Sequence, residues 1–282
     1  MGLWPVLYGS WMGRGERYAD SWTPMQNWKL TLAYDGTAFH GWQVQPGLVT
    51  VQGELQAALR RVLGEDPLPQ GSGRTDAGVH ALGQVASFAL EAPIPAGNLE
   101  RALNRTLPDA IRVVGVEAVA ESFHARHSAV AKTYEYRIFR GELCPPFLAP
   151  YVHVCRWKLE MDALRGAAAD VVGEHDFVSL AASDPDAAAR EGEDGVAKST
   201  VRTIFSSEWA EEPGGLLVYR VRGNGFLHHM VRNLVGTMLE IGRGQWEAGS
   251  MPGILAAKAR SAAGPTAPAK GLFLHSVEYD QC

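Results

Sequence analysis

The chain has 282 residues and a mass of 30.5 kDa, enough for one large domain or two ordinary ones. With 46% hydrophobic and 20% charged residues it has a soluble, globular balance, and no apolar run approaches the roughly 20 residues of a membrane-spanning helix. Its formal net charge of −5 speaks against a nucleic-acid binder, but location matters more than sum. Residues 28–140 carry 11 basic and 11 acidic side chains, whereas 181–198 holds Asp184, Asp186, Glu191, Glu193 and Asp194 against Arg190 and Lys198. More than half of the excess charge thus sits in one Ala/Asp/Glu/Gly-rich stretch with the composition of a solvated loop. Three cysteines (Cys144, Cys155, Cys282) form no CxxC pair. That speaks against a disulfide framework or a structural zinc site and for a reducing, cytoplasmic setting.

Along the chain, residues 1–27 are rich in Gly, Trp and Tyr, lack periodicity, and show no basic-then-apolar secretory pattern. They are expected to be an N-terminal extension, with Met25 as the biological start. Regular structure begins at 28–34, where Leu30, Leu32 and Tyr34 alternate with Lys29, Thr31 and Ala33 as in a half-buried strand. Thr50 is placed to cap a helix to 63 that carries Val51, Leu55, Ala58, Leu59 and Val62 on one face. A strand at 84–90, a helix capped by Asn98 and ended by Pro108, and a strand at 111–119 follow. The pattern then repeats loosely: strand 133–139, helix 161–172, strands 203–209 and 216–222, an apolar helix 227–241, and strand 272–279. Short connections between strands mixed with helices predict an α+β protein rather than a parallel doubly wound one. The simplest division is into halves 28–125 and 126–282.

The most informative segment is Gly71-Ser-Gly-Arg-Thr-Asp-Ala-Gly-Val-His80. Its three glycines let the backbone turn tightly and let a ligand approach. Arg74, two residues before Asp76, can hold that carboxylate ionised and oriented. Taken as physics alone, this is a turn with a surface Arg–Asp pair, and that bland reading is the commoner one. The strand that follows anchors the loop rigidly, which is where function often sits.

The whole string, GSGRTDAGVHALGQVASF, closely resembles the active-site segment of the TruA family of tRNA pseudouridine synthases. Further likeness runs through Ala33-Tyr-Asp-Gly-Thr-Ala-Phe-His-Gly-Trp-Gln43, Phe123-His-Ala-Arg126, Lys132-Thr-Tyr-Glu-Tyr-Arg137, Gly223-Asn-Gly-Phe-Leu-His-His-Met-Val-Arg-Asn233 and Gly271-Leu-Phe-Leu274, in the family's order. The resemblance implies two ferredoxin-like α/β halves sharing a continuous, mostly antiparallel sheet with a central active-site cleft. It implies a homodimer that isomerises uridines of the tRNA anticodon stem and loop. Asp76 would be the catalytic carboxylate. Arg74, Tyr134, Phe226, Arg232 and Leu274 would contact the flipped uridine, and Arg126 and Lys132 the RNA backbone. The reaction breaks a glycosidic bond and rejoins the same base through carbon 5, so it calls for no redox cofactor, nucleotide or metal.

Other readings have less support. His228-His229 and His124/His127 could suggest a metal, but adjacent histidines on a helix diverge by about 100 degrees and no completing ligand spacing is present. Ser72 is in no G-x-S-x-G elbow, and Gly223-Asn-Gly225 lacks the context of a dinucleotide site. A tRNA-binding module or RNA chaperone without turnover is the rival from another class; it would not need Arg74, Asp76 and Tyr134 together. The 181–198 stretch is longer than the compact loop the resemblance leads one to expect, and its charge predicts that it points away from RNA.

Overall fold

The computed structural model describes residues 25–91, 94–182 and 199–280; residues 1–24 and nearly all of the acidic stretch lie outside them. In the first half, strand β1 (Gln26–Tyr34), helix α1 (Val51–Leu63), strands β2 (Gln70–Gly71) and β3 (His80–Leu90), helix α2 (Ala96–Thr106) and strand β4 (Ile111–Val119) follow one another. The second half runs β5 (Ala129–Phe139), β6 (His153–Val154), α3 (Met161–Ala169), β7 (Gly173–Asp176), β8 (Val201–Glu212), β9 (Leu216–Gly223), α4 (Met230–Gly242), α5 (Met251–Ala256) and β10 (Leu272–Tyr279). No helix among the described residues is long and apolar enough to cross a membrane.

All the strands join one sheet in the order β4-β1-β3-β10-β5-β9-β8-β7, with β2 on β3 and β6 on β5. Taken separately, the halves have the same plan: β4-β1-β3-β2 in the first and β10-β5-β9-β8 in the second. Each is a split β-α-β arrangement, so the loose sequence repeat corresponds to a structural one. Neighbours are antiparallel except β5 with β6 and, at the join of the halves, β3 with β10. That join is short, pairing Phe273 with His80 and Leu274 with Ala81. It exists because β2 is only two residues long and covers β3 at Ser87 and Ala86 alone. The uncovered remainder of that edge accepts β10, and the 72–79 loop opens beside it.

Local signals explain most elements. The Thr50 hydroxyl accepts from Gly53 N at the start of α1, and Gly64 closes it in the left-handed conformation (φ 75°). Val51, Leu55, Ala58 and Leu59 are buried as the periodicity predicts. Several boundaries differ, among them the start of β5 at Ala129, the limits of β8 and the end of α3 at Ala169, and three have a clear local cause. The strand expected from 84 begins at His80, because β1 and β10 both pair with its first residues. The second helix starts at Ala96 after Pro95 rather than at an Asn98 cap; Asn98 lies in the first turn and accepts from Arg101. The helix expected from 227 begins only at Met230, because His229 adopts a left-handed conformation (φ 58°) that an α-helix cannot contain.

Candidate active site

The loop that carries Asp76 is braced from below. Trp42 N and Thr75 O are 3.0 Å apart, and the Tyr34 hydroxyl meets Thr75 Oγ1 at 2.8 Å in a buried contact. Gln84 clasps the loop's entrance, accepting from Ser72 Oγ at 2.7 Å and donating to Gly73 O at 2.9 Å. Gly41 (φ 87°) permits the close approach of the 39–43 segment, since a Cβ there would lie 2.5 Å from Thr75 O. Gly71 is equally constrained: a Cβ would sit 2.5 Å from the Trp42 ring. Gly71, the first glycine of the motif, therefore serves the packing of the loop.

Asp76 is one-fifth exposed, and its Oδ2 accepts from Arg232 Nη1 at 2.7 Å. Arg232 comes from α4 in the other half, 156 residues away, and is itself steadied by Nε donating to Ala267 O. Arg232, which the resemblance places against the flipped uridine, is paired here with the carboxylate of Asp76. Arg74 turns its Nε to Gln43 Oε1 at 3.2 Å, so the arginine next in sequence is engaged with the bracing segment.

Tyr134 and Phe226 form an edge-on pair with centroids 5.0 Å apart. Tyr134 is buried, and burial pushes its phenol well above the ordinary range, with Tyr34 and Asp76 adding to the effect. It is therefore a neutral hydroxyl near a carboxylate. Leu274, fully buried, pairs directly with Tyr134 across β10 and β5. Lys132 Nζ donates to Ser72 O at 2.6 Å, tying β5 to the loop. Burial, with Arg126 and then Arg202 nearby, pushes Lys132 down to about 8. Arg126 is exposed at the edge of this basic group. Arg202, on β8, is not among the residues the sequence singled out.

The histidine argument is overturned. His228 and His229 precede α4 and do not diverge: their rings are 3.9 Å apart. His228 Nε2 is 3.8 Å from Asp76 Oδ1, and His229 Nε2 is 3.4 Å from Oδ2. The ligand atoms of Asp76, His228 and His229 lie within 4.8 Å of one another, close enough to hold a metal ion. Arg232 already brings a positive charge to the same carboxylate, so the cluster is electrostatically served without a second cation. Nothing in the sequence signalled the left-handed residue.

This loop, with a carboxylate gripped from the opposite half and aromatic groups beside it, lies within a stretch that matches known proteins. The profile of the tRNA pseudouridine synthase family matches residues 31–128 and 167–280. The chain belongs to that family. It is 54% identical over 256 residues to tRNA pseudouridine synthase A of Solibacter usitatus, covering 90% of this chain and 100% of the relative. The corresponding proteins of Bacillus pumilus and Moorella thermoacetica are 44% and 45% identical over 254 residues, in each case 89% of this chain and 98% of the relative. Both family segments include residues of this site: the first contains Asp76, the second Phe226, Arg232 and Leu274. This family member is therefore an isomerase by kinship, with an α+β fold built on one large, mostly antiparallel sheet.

Proposed function

We propose that this protein isomerises uridine to pseudouridine in the anticodon stem and loop of tRNA, with Asp76 as the catalytic carboxylate. The observation that carries the reading is the Arg232–Asp76 ion pair, which fixes a loop carboxylate between the two halves. In the reaction the bond from N1 to the ribose C1′ breaks, the uracil turns, and C5 bonds to C1′. The C5 proton leaves and N1 gains one, so atoms and charge balance without a co-reactant. A fixed carboxylate suits the C1′ centre, where it can stabilise positive charge, attack covalently, or remove a neighbouring proton.

The base must leave its stack to reach such a carboxylate. Tyr134 and Phe226 offer an aromatic surface for it, Leu274 an apolar wall, and Arg74 a guanidinium at the loop's mouth. Lys132, Arg126 and Arg202 supply positive charge for phosphates beside the loop, contacts that position RNA without reading sequence. The reading extends to a cytoplasmic homodimer in which one tRNA touches both protomers, a point sedimentation with and without tRNA tests directly.

The decisive experiment is tritium release from an anticodon-arm transcript labelled at uracil C5. Release by wild type, none by Asp76→Asn, and tRNA binding retained by both is the expected result. Tight binding by wild type without release would leave a tRNA-binding module instead.

A further inference from the structure

His229 is one of only two non-glycine residues with positive φ among the described residues. The left-handed conformation costs a Cβ-bearing residue roughly 1–2 kcal/mol, and such strain persists only where the surroundings impose it. Helix capping does not account for it. His229 sits at the N-cap of α4 but makes no side-chain cap hydrogen bond, whereas a capping residue is normally extended and turns its side chain onto the first turn. The imidazole is instead directed to Asp76, its Nε2 3.4 Å from the oxygen that Arg232 holds at 2.7 Å. The His228 ring lies close against it, the two planes tilted by 38°. One five-residue stretch, 228–232, thus meets both oxygens of the carboxylate, His228 near Oδ1 and His229 with Arg232 at Oδ2, and the unusual backbone at 229 is what brings the imidazole round.

We propose that His229 is a positioning residue for the reaction: its imidazole, beside Arg232 at Oδ2, fixes the plane of the Asp76 carboxylate as the flipped uridine arrives. The proposal rests on the reading of Asp76 given above. Separations of this kind commonly close to a hydrogen bond in the substrate complex. A neutral ring suits the task, because a second full cation on Oδ2 would weaken the carboxylate as nucleophile or base. Burial does push His229 below its ordinary value, against the pull of Asp76, with His228, Arg232 and Arg260 adding to the effect. An NH donor that adds no charge orients the carboxylate while leaving its reactivity to Arg232 alone.

The test is single-turnover tritium release and tRNA affinity for wild type, His229→Gly and His229→Asn, with and without added imidazole. Glycine takes the left-handed conformation freely and asparagine tolerates it, so both variants keep the backbone. His229→Gly is expected to melt no lower than wild type and to bind tRNA normally. It should react about 10²-fold more slowly, with part of the rate restored by free imidazole filling the vacated space. His229→Asn should be slow at an unchanged KM and be less responsive to imidazole, because its side chain occupies part of that space. An unchanged rate in His229→Gly would overturn the proposal. So would a loss that imidazole does not restore, or one that tracks lost tRNA affinity or lost stability. Failure of wild type itself to release tritium would instead sink the reading of Asp76.

Discussion

Lys132 shows how much a single side chain can carry. Its ammonium is mostly buried against the Asp76 loop, and its value falls from 10.5 to about 8 through burial, Arg126 and Arg202. Because the folded-state value is depressed, the unfolded chain binds the proton more tightly between pH 8 and 10.5. Stability therefore carries a penalty below pH 8 that is relieved as pH rises through that window, at most about 3 kcal/mol. A phosphate beside Lys132 would offset that penalty, so tRNA affinity should fall as pH rises past about 8. Lys132→Met should abolish that pH dependence, weaken binding several-fold, and lower the slope of log affinity against log salt by about 1. Filter binding across pH and salt measures all three; a variant with the wild-type salt slope would remove Lys132 from the RNA interface.

At the scale of elements, α4 is the clearest departure from what periodicity suggests. Leu227 to Leu239 has the apolar spacing of a one-sided helix, yet twelve of the thirteen residues of α4 are buried. The polar residues on its other side are met by the 251–268 excursion. Asn233 Oδ1 accepts from Thr266 Oγ1 and Arg260 Nη2, and Thr237 Oγ1 accepts from Gly264 N. Gly236 makes this packing possible, since a Cβ there would lie 1.7 Å from Pro265 O. Gly236→Ala should therefore destabilise the fold by about 3 kcal/mol or more through overpacking. Gly166→Ala in α3, where a Cβ meets nothing within 4 Å, should stabilise by roughly 0.5–1 kcal/mol. Urea midpoints for the two variants test the contrast; equal shifts would contradict it.

For the whole molecule, the decisive feature is the narrow parallel seam between β3 and β10. Side chains reinforce it from both halves: His80 stacks on Phe273 at 4.7 Å, the Tyr151 hydroxyl donates to Asp35 Oδ2, and the Tyr279 hydroxyl to Ala125 O. Gly83 lets the strands approach, because a Cβ would sit 2.6 Å from His275 O. Gly83→Val should part the seam and shift Asp76 from Arg232, lowering turnover about 10²-fold. The circular dichroism spectrum should change little, since each half retains its own strands and helices. Turnover matching wild type would show that the site does not depend on the seam.

What the sequence determined by itself follows from interactions close along the chain. Alternation at Leu30, Leu32 and Tyr34, the Thr50 cap, and the spacing of Val51, Leu55 and Leu59 set the strands and helices. The glycine-rich segment around Asp76 marked the loop where a ligand can enter, and its likeness to the family pointed to the chemistry. Tertiary structure alone decided what stands opposite that carboxylate. Arg232, 156 residues away, reaches Asp76 only because β2 stops after two residues and leaves an edge of β3 for β10. The two histidines converge only because residue 229 is held left-handed. Neither periodicity nor spacing encodes these outcomes, because both depend on contacts between distant segments that form once the whole sheet is assembled.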